Sequence, residues 1–126
     1  KGWLSLPEPP GDDWVVGEGE QIVGWAHIFV PARGYADDAS VAEVSAIYVS
    51  PSYWGAGVGH LMMNELIERF AAEAVQTVTL WVMEDNTRAR GFYERHGFVL
   101  AEGRRELGLV KESGVWEVSY ARRVLL

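Results

Sequence analysis

Three alternating glycines mark the part of the chain whose residue types are best suited to binding a ligand. Gly55, Gly57 and Gly59 stand between a run of strand-forming residues and an amphipathic helical pattern. Glycines at such a turn let the backbone bend tightly and approach a ligand closely. The free amides and the dipole at the helix start then favour phosphate oxygens. The spacing therefore predicts a cradle for an anionic group rather than a plain connection between a strand and a helix.

Two nucleotide-binding motifs are candidates for this turn. A P-loop requires Gly-Lys-Ser/Thr after the glycines, and here His60 stands in place of the lysine, which excludes that motif. A dinucleotide fingerprint that starts at Gly55 requires Gly or Ala where His60 stands. Glu84 or Asp85 would then have to bind the ribose, later in the chain than is usual. A dinucleotide site stays open as an alternative.

A second group of candidate residues follows the strand-like run 77–82. Asn86 is suited to cap a helix whose apolar face includes Phe92 and Tyr93, and Gly97 stands where such a helix would end. Tyr93 carries an ionisable hydroxyl on that face. The pattern alone leaves open whether this tyrosine packs in a core or takes part in chemistry.

Hydrophobic periodicity predicts the elements that position both groups. The order β-β-β-α-β-α-β-β indicates an α/β (α+β) fold with one mixed sheet covered by helices. The predicted strands are 14–16, 21–30, 41–49, 77–82, 98–101 and 115–124, and the predicted helices are 58–74 and 87–96.

The two segments together resemble the GNAT superfamily of N-acetyltransferases, whose members bind acetyl-CoA. The first segment has a strand that ends Ile47-Tyr48-Val49, then Pro51 and the glycine turn; the second runs from Asn86 through Phe92-Tyr93 to Gly97-Phe98. The resemblance extends over about residues 14 to 122. It implies a mixed, mostly antiparallel central sheet flanked by helices, the GNAT-like acyl-CoA N-acyltransferase fold.

The resemblance also implies which residues hold the cofactor. The strand end would bind the pantetheine arm through its backbone, and one of its amides would face the thioester oxygen. Trp54 departs from the family, which usually has Gln or Arg there, but backbone amides carry the phosphate contacts. Asn86 is expected either to cap its helix or to contact the cofactor's amides. The implied cofactor-binding residues are Ile47, Tyr48, Val49, Trp54, Gly55, Ala56, Gly57, Val58, Gly59, His60, Asn86 and Tyr93.

Two residues are implied to be catalytic. Tyr93 would donate a proton to the departing thiolate, because its hydroxyl has an ordinary pKa near ~10 that suits a thiol. Glu43 would act as the base, through a water molecule, since many members carry Glu at the matching position. Strand alternation places Glu43 on the same face as Ile47 and Val49, the side of the expected cofactor contacts.

Another acidic position of the family is absent from this chain. Many members carry a Glu five residues before the Asn, and Trp81 stands there. Glu84 is the remaining candidate acid, although the start of a helix would attract it in any case.

Composition excludes several other classes of site. The chain has 126 residues, a formal net charge of −7 and no cysteine, so it has no disulfide, thiolate nucleophile or Cys-based zinc site. Its three histidines are scattered without metal-ligand spacing, and we expect no metal. The acidic balance argues against nucleic-acid binding, and no apolar run is long enough for a membrane span.

The length predicts one domain over residues 1–126, with 1–13 as a leader or loop and 14–126 as the core. Members of the resembled family open with a strand and two helices before the first hairpin. Thirteen residues rich in Pro and Gly cannot supply them, so we expect an N-terminally incomplete GNAT-like domain.

The function expected from the resemblance is transfer of an acetyl group from acetyl-CoA to a primary amine of a small molecule or peptide. A non-catalytic CoA-binding module is the main alternative, and a dinucleotide-binding enzyme is another. Residues 1–87 carry thirteen acidic and three basic side chains, which favours a cationic acceptor. We also expect a cytoplasmic location and a possible homodimer, because an exposed sheet edge needs cover.

Overall fold

The computed structural model describes residues 11–35, 37–107 and 113–124. Most of the predicted leader, residues 1–10, lies outside this part, and the first strand begins two residues earlier than predicted. Tyr53 ends a single 3-10 turn that precedes the first helix. The strands are β1 Asp12–Glu18, β2 Gln21–Phe29, β3 Val41–Val49, β4 Thr77–Met83, β5 Val99–Glu106 and β6 Trp116–Arg123; the helices are α1 Val58–Ala72 and α2 Thr87–Arg95.

The six strands form one sheet in the order β1-β2-β3-β4-β6-β5. Only the β3–β4 pair is parallel, and the other four neighbouring pairs are antiparallel. The predicted mixed, mostly antiparallel sheet and the predicted order of elements are therefore confirmed. β5 is longer than predicted, because its second half pairs with β6 through polar residues that carry no hydrophobic alternation.

The central strands β3 and β4 stay together for only part of their length. Among the described residues they pair at four positions, where residues 41–44 meet residues 77–80. Beyond this point β3 continues against β2, and β4 continues against β6. The sheet is therefore split between its two central strands at their C-terminal ends.

A β-bulge in β3 lies where the split begins. Val44 is opposite Ile28 and Ala46 is opposite His27, which leaves Ser45 as an extra residue. The Ser45 hydroxyl donates to the carbonyl of His27 at 3.1 Å. Such a bulge bends its strand and increases the local twist, which helps β3 turn away from β4.

The bulge also changes which side chains share a face. Ile47 and Val49 pack against the core cluster that contains Val44 and Ala42, and not on the face of Glu43. The expectation that Glu43 shares a face with Ile47 and Val49 is therefore wrong. One extra residue reverses the alternation, because side chains in a strand alternate with a period of two.

Both helices pack on the same face of the sheet. The apolar side of α1 buries Met62, Met63, Leu66 and Phe70, which lie in one cluster with Tyr93 of α2. Val75 and Phe98, which lie just outside the strands, also belong to the cluster. The strands contribute its other buried members, which are Ala26, Ile28, Ala42, Val44, Val78, Leu80, Val82, Val118 and Tyr120. This shared core holds the two helices over the split end of the sheet.

Leu66 and Leu61 provide a matched test of this packing. Leu66 is 2% exposed and Leu61 is 53% exposed on the same helix. We expect Leu66→Ala to lower the free energy of unfolding by about 2–5 kcal/mol, since it leaves a cavity. Leu61→Ala is expected to change it by less than about 0.5 kcal/mol. Chemical denaturation of both variants measures the difference, and equal effects would contradict the described orientation of α1.

Candidate active site

A cleft of about 650 Å³ opens where β3 and β4 separate. Its walls are the end of β3, the glycine turn, the first turn of α1 and one side of α2. Eleven of the twelve predicted cofactor-binding residues line it, and Ala56 lies in the turn without lining the cleft. The lining residues are Ile47, Tyr48, Val49, Tyr53, Trp54, Gly55, Gly57, Val58, Gly59, His60, Asn86, Arg88, Ala89, Phe92, Tyr93 and Arg95.

The glycine turn presents backbone amides to this cleft. Gly55 and Gly57 have φ angles of +81° and +86°, a region that side chains with a Cβ rarely adopt. Gly57 is the N-cap of α1 and its carbonyl accepts from the Leu61 amide at 3.0 Å. The preceding amides, at residues 57–60, have no acceptor within the helix. Together with the helix dipole they suit an anion.

Close approach of the two helices explains the third glycine. A Cβ on Gly59 would lie 3.2 Å from Cε1 of Phe92 and 3.8 Å from Cγ2 of Val49. A side chain at position 59 would require the Phe92 ring to shift by a few tenths of an ångström. Gly59 therefore permits close contact between α1 and Phe92 of α2, whereas the positive φ angles of Gly55 and Gly57 determine the path of the turn.

Only basic side chains carry charge on the cleft wall. Arg88, Arg95 and the titratable His60 line it, and no described carboxylate does. The chain as a whole has a net charge of −7. A cationic cleft on an acidic protein attracts anionic ligands selectively, because the local potential governs their approach.

His60 and His96 form a contact that the sequence analysis missed. Nδ1 of His60 lies 2.7 Å from Nε2 of His96, so the two rings share a hydrogen bond between the start of α1 and the end of α2. Burial lowers the pKa of His96, and nearby His60, Arg122 and Arg95 lower it further. A neutral His96 is the form that can accept this bond. No local spacing rule relates two residues so far apart in the chain.

Tyr93 lies at the inner wall of the cleft. It is 8% exposed, and burial raises the pKa of its hydroxyl to about 12. The phenol is therefore neutral at physiological pH and holds a proton that it can donate. The structure thus gives this tyrosine both a core environment and access to the cleft.

Asn86 caps α2 in this structure. Its side-chain oxygen accepts a hydrogen bond from the Ala89 amide at 3.1 Å. The capping interpretation is therefore confirmed. A contact between Asn86 and a cofactor stays a prediction, although Asn86 also lines the cleft.

Glu43 is separated from the other predicted site residues. It is 3% exposed, and its carboxylate accepts hydrogen bonds from Nε and Nη2 of Arg33 at 3.0 and 2.6 Å. The backbone amide of Arg33 also donates to it at 3.2 Å. Arg33 was not predicted to be near Glu43. The available signal was that no other lysine or arginine lies between Lys1 and Arg69.

Glu84 and Trp81, the other two positions considered for the catalytic acid, also contact residues outside the cleft. Glu84 accepts hydrogen bonds from Nε and Nη2 of Arg104 at 2.9 and 3.0 Å, and this contact lowers the pKa of Glu84. The guanidinium carbon of Arg105 lies over the Trp81 ring, 4.0 Å from the ring centroid. Neither side chain lines the cleft.

The sequence of the chain matches a known protein family. The model of the acetyltransferase (GNAT) family matches residues 2–98. The chain belongs to the GNAT acetyltransferase family.

Among relatives, a mycothiol acetyltransferase from Mycobacteroides abscessus is 36% identical over 55% of this chain and 23% of its own length. The bS18-alanine N-acetyltransferase of Haemophilus influenzae is 35% identical over 64% of this chain and 50% of its own. The chain thus matches half the length of these relatives or less.

Solved structures share the fold of this GNAT chain. An N-acetyltransferase from Staphylococcus aureus superposes with a TM-score of 0.76 at 19% identity, covering 91% of this chain and 68% of that one. A ribosomal-protein-alanine N-acetyltransferase from Brucella melitensis has a TM-score of 0.75 at 19% identity, covering 90% and 68%. At this level of identity, the likeness establishes the fold alone.

The described part of the GNAT chain has neither a cluster of metal ligands nor a membrane-spanning helix. Within residues 11–35, 37–107 and 113–124, no three His, Asp or Glu side chains converge in a way that suits a metal ion. Neither described helix combines the length and apolarity that a bilayer crossing requires.

Gly57 and Gly19 allow the strain of the turn to be separated from its role in binding. Both have positive φ angles, and a Cβ on either meets no atom within 4 Å. We expect Gly57→Ala and Gly19→Ala each to cost about 1–2 kcal/mol of stability, measured by chemical denaturation. Only Gly57→Ala is expected to weaken CoA binding, measured by calorimetry. Equal CoA affinities in the two variants would contradict the assignment of the anion cradle.

Proposed function

We propose that this GNAT chain transfers an acetyl group from acetyl-CoA to a primary amine of a small molecule or peptide. The observation that supports this function most is the split between β3 and β4. It joins the unpaired edge of one strand to a cationic cleft with Tyr93 on its wall. Such an arrangement suits a long ligand with amides at one end and phosphates at the other.

The residues present fit acetyl-CoA. Residues 46–49 pair with β2 on one side only, and the Val49 carbonyl already accepts a hydrogen bond from Trp54. The other amides and carbonyls that point away from β2 are available to bind pantetheine as a strand would. The amides at residues 57–60 suit the pyrophosphate. Members of the family use acetyl-CoA in general, and the molecule supplies an activated thioester.

The proposed reaction is direct attack of a neutral amine on the thioester carbonyl. A bond forms between the amine nitrogen and the acetyl carbon, and the bond from that carbon to sulfur breaks. A free amide of β3 stabilises the negative charge on the carbonyl oxygen. Tyr93 donates its proton to the departing thiolate and regains a proton from solvent, while the proton released by the amine passes through the base to solvent.

Glu43 is the proposed base, although it lies on the sheet face opposite the helices. An amine that reaches the thioester through the split from that side would meet this face first. The carboxylate would act through a water molecule, and Arg33 would hold it in position.

Ligand binding followed by turnover tests this function. Melting temperature is measured with acetyl-CoA, CoA and NADH, and thiol release is then measured across small-molecule amines and peptides with a free N-terminus. We expect stabilisation by acetyl-CoA and CoA, and thiol release with some amines. Stabilisation by NADH alone would favour a dinucleotide enzyme. Stabilisation by acetyl-CoA without thiol release would favour a non-catalytic binding module.

Tyr93→Phe separates catalysis from binding. We expect kcat to fall by about 10²–10⁴-fold, the usual contribution of a general acid, while CoA affinity stays within about twofold. Because the pKa of Tyr93 is about 12, this donor causes no loss of rate below about pH 11. The neutral Tyr93 hydroxyl also contributes to the free energy of unfolding, because its pKa is higher in the folded state than in the unfolded chain. This contribution is complete below pH ~10 and is lost as the pH rises through about 12. Unchanged turnover in Tyr93→Phe would remove this residue from the mechanism.

Glu43→Gln and Arg33→Gln test the base and its partner. We expect Glu43→Gln to lower kcat by about 10²-fold at constant CoA affinity, since the amide cannot accept the proton. Arg33→Gln leaves a buried carboxylate without its partner and is expected to lower stability by about 3–5 kcal/mol. Because Glu43→Gln also breaks the pair, melting temperatures of both variants identify losses caused by unfolding. Wild-type kcat in folded Glu43→Gln would exclude Glu43 as the base.

A further inference from the structure

A hydrogen bond to a nearby backbone carbonyl holds the Trp54 side chain at the edge of the cleft. Its indole Nε1 donates a hydrogen bond to the carbonyl of Val49 at 2.8 Å. The residue is nevertheless 54% exposed, an unusual surface position for so large a side chain. The bond fixes the plane of an exposed ring at the beginning of the glycine turn.

Arg88 covers one face of this ring. Its guanidinium carbon lies 4.3 Å from the Trp54 ring centroid, and both side chains line the cleft. No aromatic ring of the described residues stacks on the opposite face of the indole. The tryptophan is therefore a fixed, half-exposed ring whose other face has no aromatic partner among these residues.

Arg88 also lacks an acidic partner among the residues that the structure describes. The guanidiniums of Arg33, Arg104 and Arg105 each pair with a carboxylate, at 2.6, 2.9 and 2.9 Å. No such ion pair involves Arg88, although the chain is acidic as a whole. A guanidinium that lies over an indole without a carboxylate partner keeps N–H donors available, and these can bind two oxygens of a phosphate.

CoA has more phosphate groups than the glycine turn can bind. The backbone amides at residues 57–60 suit the pyrophosphate, which leaves the 3′-phosphate on the ribose and the adenine base. A free indole face suits a purine, because base stacking on aromatic side chains requires no particular hydrogen bonds. A planar cation beside it suits a terminal phosphate.

We propose that Trp54 and Arg88 form a binding site for the nucleotide end of CoA, with adenine on the free face of Trp54 and the 3′-phosphate on Arg88. The inference rests on the proposed function, since CoA is the ligand. It also gives a role to Trp54, which stands where related chains usually have Gln or Arg. The aromatic–cation pair replaces that single polar side chain.

Calorimetry with CoA, with dephospho-CoA and with adenosine 3′,5′-bisphosphate tests the site. We expect wild-type protein to bind CoA about tenfold more tightly than dephospho-CoA, the equivalent of one charge-assisted contact. Arg88→Gln is expected to remove this preference by weakening CoA alone. Trp54→Gln is expected to weaken CoA, dephospho-CoA and the bisphosphate together, whereas Trp54→Phe retains most of the affinity.

Arg123→Gln is the matched control, because Arg123 is exposed at the end of β6 and does not line the cleft. It is expected to bind all three ligands as the wild type does. Equal wild-type affinities for CoA and dephospho-CoA would overturn the site but leave the proposed function standing. Equal weakening of both ligands in Arg88→Gln would also overturn it, since Arg88 would then bind the pyrophosphate. A wild-type protein that binds no CoA would contradict the site and the proposed function together.

Discussion

The early end of pairing between β3 and β4 is the constraint on which the rest of this structure depends. β3 keeps its hydrogen bonds to β2 along most of its length but meets β4 at only four positions. Backbone amides and carbonyls at an interior split of a sheet lose their strand partners, and such groups are costly to bury unsatisfied. A polar ligand or water must therefore complete this edge. A site based on main-chain groups places few demands on side-chain identity.

The helices keep the split open because of how they are packed. Both lie on one face and share a core with the strands, so neither helix can enter the gap between β3 and β4. Gly59 permits Phe92 to approach the start of α1, and the His60–His96 contact joins the same two elements. Both contacts thus join the start of α1 to α2 beside the cleft.

Charge is distributed between the two faces of the sheet. On the face opposite the helices, Glu43 and Glu117 are largely buried and paired with Arg33 and Arg105, whose guanidiniums are about half exposed. On the cleft side, the lining carries arginines without carboxylates. An acidic chain can therefore attract an anionic co-substrate, because the local arrangement of charge outweighs the net charge at short distances. Glu43 and Glu117 are thus both charge-compensated on that face.

Much of the fold could be predicted from the sequence because its signals are local. Strand alternation, helical periodicity and the capping signal at Asn86 each depend on residues within a few positions of one another. The glycine turn and the Asn86–Phe98 segment likewise indicated the cleft residues in advance, and eleven of the twelve predicted cofactor-binding residues line it. β5 was predicted too short, since its polar second half is held by register with β6 rather than by its own hydrophobic pattern.

Tertiary structure alone decided the features that depend on register and on distant partners. The bulge at Ser45 reversed the alternation of β3 and moved Glu43 to the other face, an effect of pairing with β2 that one strand's sequence does not contain. Three side-chain contacts join residues at sequence separations that no periodicity rule covers: Arg33 with Glu43, His96 with His60, and Arg88 with Trp54. The sequence by itself determined the elements and the backbone cradle, because glycines and caps act on their own neighbourhood. The orientation of the candidate base and the charge of the cleft were decided only when those elements packed.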